Sequence, residues 1–154
     1  MKKWFFLIAI AILAIVLPLS LLYKGFKENE VVNAEQAVSV ARSNIQFSTI
    51  ESVDYYAGDN GYHVIIGKNS DGEEIIVWVQ EDNIWEHSLS EAVSREKIVA
   101  QLSNANIKRL VPGMMTTDDG EKLPIWEAYY TIEEQSFYEY FDFFTGERIQ
   151  KITL

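Results

Sequence analysis

Ser136-Phe137-Tyr138-Glu139-Tyr140-Phe141-Asp142-Phe143-Phe144-Thr145-Gly146-Glu147 decides the fold class. Aromatic side chains dominate the run through Phe144, and such residues fit a pleated, half-buried surface better than a helix. Thr145-Gly146 then reads as a tight turn. Gly146 can take the positive φ that the turn needs, and Asp142 is placed to accept bonds from the turn amides. The spacing predicts a return strand over Glu147 to Thr153. Working backwards, Glu134-Gln135 separates this strand from a second aromatic one, Ile125 to Glu133, and Asp118-Asp119-Gly120 is a turn before that. Ile107 to Met115 reads as an extended stretch broken by Pro112-Gly113. Ser90 to Ser103 reads as a helix, with Ser90 as cap and Val93, Val99 and Leu102 as apolar contacts.

The same order occurs earlier in the chain. Asn33 followed by Gln36 is a capping-box arrangement, and Ala34, Ala37, Val38, Ala41 and Ile45 recur at helical spacing. Strands are predicted over Ile50 to Ala57, Tyr62 to Gly67 and Glu74 to Gln80, with a short extension through Ile84 and Trp85. Asp59-Asn60-Gly61 and Ser70-Asp71-Gly72 supply the turns. The fold class is therefore α+β, two tandem helix-plus-antiparallel-sheet units over 33–88 and 89–154. A half of that size is marginal alone, so the two are expected to pack together.

Ahead of them, Trp4 to Leu22 is a run of 19 residues without a charged side chain. As a helix it spans about 28 Å, close to the hydrocarbon thickness of a bilayer. Lys2 and Lys3 before it favour a cytoplasmic N-terminus and place the rest of the chain outside the cell. A cleaved signal peptide is the alternative, but bulky Leu21, Leu22 and Tyr23 stand where small residues are needed. Residues 1–24 are thus read as cytoplasmic start and transmembrane anchor, and 25–32 as a juxtamembrane linker. Of 13 Lys+Arg only Lys2 and Lys3 precede the anchor, leaving 11 against 23 Asp+Glu beyond it, a net charge of −12. That field repels nucleic acid and anionic headgroups. With no cysteine there is no disulfide, thiolate nucleophile or cysteine metal site.

The segment Tyr138 to Ile149 resembles the C-terminal hairpin of PepSY-like (cystatin-like) domains, in which a strand ends in aspartate and Thr-Gly-Glu turns into the closing strand. Pro124-Ile125-Trp126-Glu127-Ala128-Tyr129-Tyr130 and the preceding helix fit that pattern too. In the first unit Gln80-Glu81-Asp82-Asn83 stands where the Asp-x-x-Thr-Gly turn would be. A short start, one anchor and two such units resemble the TseB-like (YpmB family) cell wall elongation regulators of Gram-positive bacteria. The resemblance implies a non-enzymatic partner of a penicillin-binding protein of the elongation machinery, acting in cell shape, with no cofactor and no catalytic residues to carry over.

The residues themselves offer little chemistry. His63 and His87 show no zinc spacing and read as ordinary strand histidines unless their strands bring them together. Asp118-Asp119-Gly120-Glu121 lacks the alternating ligands and distal glutamate of a calcium loop and reads as a solvated turn. Glu73-Glu74 and Glu133-Glu134 read as strand-end charges. Nucleophile elbows and Gly-rich phosphate loops are absent from the sequence. The aromatic strands carry the functional candidate: Trp126, Tyr130, Tyr138 and Tyr140 form a candidate partner surface, weighed against plain core packing. Two function classes follow: a membrane-tethered binding regulator, or a surface-tethered inhibitor or chaperone of exported proteases and other proteins, as the propeptide-like use of PepSY domains implies.

Overall fold

The computed structural model describes residues 33–58 and 61–154. The apolar run 4–22, the orienting Lys2 and Lys3, and the linker 25–32 lie outside the described residues. Among the described residues no helix is long and apolar enough to cross a membrane. Residues 37–154 form one compact unit.

Helix α1 (33–44) leads into β1 (Phe47–Tyr56), β2 (Tyr62–Asn69), β3 (Glu74–Gln80) and β4 (Asn83–Ser88). After a 3₁₀ turn at Leu89–Glu91 come α2 (Arg95–Gln101), β5 (Asn106–Thr116), β6 (Lys122–Ile132), β7 (Gln135–Asp142) and β8 (Arg148–Thr153). Both sheets are antiparallel meanders, ordered β1-β2-β3-β4 and β5-β6-β7-β8. Helix plus four strands, written twice, is the α+β order that the sequence predicts.

Strand β3 explains the layering. Five consecutive residues, Ile75 to Val79, are buried. A strand alternates its side chains between two faces, so a continuous apolar run means cover on both. Ile75, Val77 and Val79 pack with Ile65 under Ala37 and Ala41 of α1. Ile76 and Trp78 point the other way and meet Met114, Ile125 and Phe143 of the second sheet. That second sheet in turn lays Ala128, Tyr130, Phe137 and Phe141 against Val93, Ile98 and Leu102 around α2. The order through the molecule is helix, sheet, sheet, helix.

Several local expectations change. Asn33 is already helical and so is not the cap of α1. The second helix starts at Arg95, not Ser90. Ser94 is its N-cap, with Oγ accepting from Lys97 N, while Ala92 is extended and Val93 donates its N–H to Phe143 O at 2.9 Å. The shift turns Val99 outward to 40% exposure and buries Ile98 in its place. Pro112-Gly113 does not break β5, which runs unbroken through both. β5 is an edge strand, where a residue lacking an N–H is tolerated.

Candidate functional site

The closing hairpin has the local chemistry expected of it. Asp142 Oδ1 accepts from Phe144 N at 2.9 Å and Thr145 N at 2.7 Å, and Gly146 sits at φ 72°. Phe143 is thereby turned back into the space between the sheets, 5.3 Å edge-to-face from Trp78 and 5.7 Å stacked on Trp126. The first half has no counterpart, only a two-residue turn with Glu81 at φ 54°.

Register decides where the four candidate aromatics point. Trp126 pairs with Phe141, Tyr130 with Phe137, Tyr129 with Tyr138, and Glu127 with Tyr140. The two-residue loop Glu133-Glu134 thus pairs even positions of β6 with odd positions of β7. Trp126 and Tyr130 face α2, whereas Tyr138 and Tyr140 face the other way, so the four do not form one surface. Tyr130 is buried, at 2% exposure, and is core. Trp126 Nε1 donates to Val93 O at 3.2 Å, bracing the segment ahead of α2. Tyr140 packs between the sheets.

Tyr138 is different. With Tyr129 it forms a stacked pair, centroids 4.9 Å apart, that belongs to neither sheet core and is half-exposed. Across the strands the row reads Arg109, Tyr129, Tyr138, Ile152, the last 38% exposed. Beside Arg109 an open slot of about 300 Å³ enters between the sheets, lined by Asp54, Tyr55, Tyr56, Ile66, Val111 and others. Its inner wall is a polar bridge: Tyr56 Oη donates to Glu127 Oε2 at 3.0 Å, and Arg109 Nη2 sits 2.9 Å from Glu127 Oε1. A carboxylate as buried as Glu127 persists in a protein only when paired in this way.

On the α2 face a second buried carboxylate, Glu139, accepts from Tyr130 Oη and meets Arg148 Nε. Lys151 covers the same place, 4.2 Å above the Phe137 ring. Burial first, then the Glu139 bond and charge, push the Tyr130 phenol well above its usual range. A raised tyrosine pKa favours the neutral form, so this contribution is full below pH ~10 and is lost as pH rises beyond it. Over pH 10–12 the protein is expected to lose stability more steeply with rising pH than Tyr130→Phe does. Urea unfolding across that range checks this; parallel losses in the two proteins would sink it.

His63 pairs with Val79 on the α1 side, and His87 pairs with Ile76 on the side facing the second sheet. They do not meet. His87 instead lies 5.0 Å from Phe144 and 3.8 Å from the Glu91 carboxylate. Asp118-Asp119-Gly120 is a turn in which the Thr117 hydroxyl bonds Asp119 Oδ1 and holds that carboxyl below the usual range. Among the described residues no three His, Asp or Glu side chains are grouped as metal ligands. Sequence reasoning missed Arg109, Tyr129 and the slot. Only the adjacent pair Tyr129-Tyr130, necessarily facing opposite ways in a strand, hinted at an uncovered ring.

Residues 36–80, helix α1 through β3, match the family model for the cell wall elongation regulator TseB-like domain. The match thus falls on the first half rather than on the closing hairpin. The chain is 24% identical to the probable cell wall elongation regulator TseB of Bacillus subtilis (strain 168), over 94% of this chain and 91% of that one. The solved YpmB protein from Bacillus subtilis superposes with a TM-score of 0.67 at 24% identity, covering 78% of this chain and 96% of that chain. The likeness to the solved structure shows that the fold is shared.

Proposed function

We propose that the chain, similar as it is to the TseB-like cell wall elongation regulators, is a non-enzymatic regulator which binds a penicillin-binding protein of the elongation machinery. Residues 4–22 tether it, with Lys2 and Lys3 on the cytoplasmic side and the two sheets outside the cell. The observation that carries this reading is the near full-length similarity to a relative named a probable cell wall elongation regulator. The partly exposed tyrosine pair of the second sheet supports it, since Tyr and Arg are favoured anchors of protein interfaces. A tether adds effective concentration without any new contact.

In-cell crosslinking of the full-length protein, followed by capture and probing for penicillin-binding proteins, tests this. A specific elongation transpeptidase is expected in the eluate. Its recovery should fall by about tenfold or more when residues 1–24 are replaced by a cleavable export signal. An eluate with no cell wall synthase but an exported protease would overturn the reading in favour of an inhibitor.

A further inference from the structure

The slot between the sheets lies where two sheet edges run together. β1 is the outer strand of the first sheet and β5 the outer strand of the second. Each presents one row of backbone N–H and C=O groups that its sheet does not use, and such a row is a template for an added strand. Between them the slot is about 300 Å³ with an apolar floor of Val64, Ile66 and Val111. That suits a branched or aromatic side chain better than a polar one.

Charge narrows the occupant. Arg109 at one lip is already neutralised by Glu127. Asp54 at the other lip pairs across the sheet with Val64, on the face that looks at the second sheet, and makes no ion pair among the described residues. The uncompensated charge at the mouth is therefore negative, within a chain that is −10 overall. We infer that the slot between β1 and β5 receives an extended segment of a partner protein, seating one large apolar side chain on Val64 and Val111 and a neighbouring Lys or Arg against Asp54. Backbone groups of the edge strands supply register, and Tyr129 and Tyr138 extend the contact beyond Arg109. This deepens the regulator reading by placing its contact, and it rests on that reading only for the partner's name.

The test places a photo-crosslinking benzoylphenylalanine at Ser52, which pairs across the sheet with the slot residue Ile66 and shares the face of Asp54, in the full-length protein in its own cells. A matched probe at Val99 on α2 is the control. A protein adduct is expected from position 52 and not from 99, mapping to a partner stretch with an apolar residue next to Lys or Arg. Val111→Phe, which fills the slot, and Asp54→Lys, which reverses its charge, should each lower adduct yield about tenfold. Both variants should unfold at the same denaturant midpoint as the parent. If Val111→Phe proves unstable, Asp54→Lys decides alone, because Asp54 is exposed.

Equal adducts from 52 and 99, an adduct to a second copy or to the chain's own N-terminal segment, or one that a muramidase digests would each overturn the inference. So would an adduct yield unchanged by Asp54→Lys. Capture of a penicillin-binding protein without an adduct at position 52 would fell the slot but spare the proposed function. A slot adduct to a partner outside the cell wall machinery would do the reverse.

Discussion

Trp78→Ala is expected to remove about 3–5 kcal/mol of stability, a large share of the roughly 5–15 kcal/mol that holds a domain together. Trp78 is fully buried in the layer between the sheets, edge-to-face with Phe143 on one side and 6.1 Å from the His87 ring on another. Its removal opens a cavity that strands fixed by hydrogen bonds cannot collapse into. Trp78→Phe keeps an aromatic edge toward Phe143 and removes an indole N–H that finds no acceptor among the described residues. Its cost should therefore be about 1–2 kcal/mol. Urea unfolding followed by circular dichroism distinguishes the two. A loss below about 1 kcal/mol for the alanine variant would mean that the sheets are not joined through this ring.

Gly113→Ala has the second largest expected effect. A Cβ at Gly113 would lie 2.5 Å from Cζ and 2.7 Å from Cε2 of Tyr56, so the ring lies directly on the β5 backbone. The ring has little room to yield, since its hydroxyl holds the buried Glu127. Overpacking of this kind costs about 1–3 kcal/mol, and loss of the Tyr56–Glu127 bond adds to it. The diagnostic is a double-mutant cycle. In a Tyr56→Ala background, Gly113→Ala should cost less than half as much, because the atoms it collides with are gone. Additive losses would show that Gly113 is needed for backbone conformation instead.

What could be read from the sequence was what short-range chemistry controls. Asp142, Thr145 and Gly146 specify their turn within five residues, and the structure shows the bonds expected of them. Glu74 to Gln80 was legible as a strand, since few elements tolerate so many consecutive apolar residues. The misreadings all depend on distant partners. Ser90 and Ser94 are equally good caps locally, and Val93 decides between them by bonding Phe143 fifty positions away. Pro112 looked like a break because nothing near it says that β5 is an edge. Trp126, Tyr130, Tyr138 and Tyr140 share a parity in the sequence, yet the pairing across a two-residue loop sends them to opposite faces. The slot was invisible for the same reason: its walls come from β1, β2 and β5, which only the folded sheets bring together.

The place of Phe143 also constrains when folding can finish. Chains are made from the N-terminus, and units made early fold early if they can. Here the inner face of the first sheet, with Trp78 and Ile76, waits for an aromatic ring 65 positions further along the chain than Trp78. Until the closing hairpin has formed, that face has Met114 and Ile125 to meet it but lacks the ring of Phe143. The late hairpin therefore acts as a latch: a chain truncated or stalled before Asp142 holds nearly all its strands but lacks the ring that seals them.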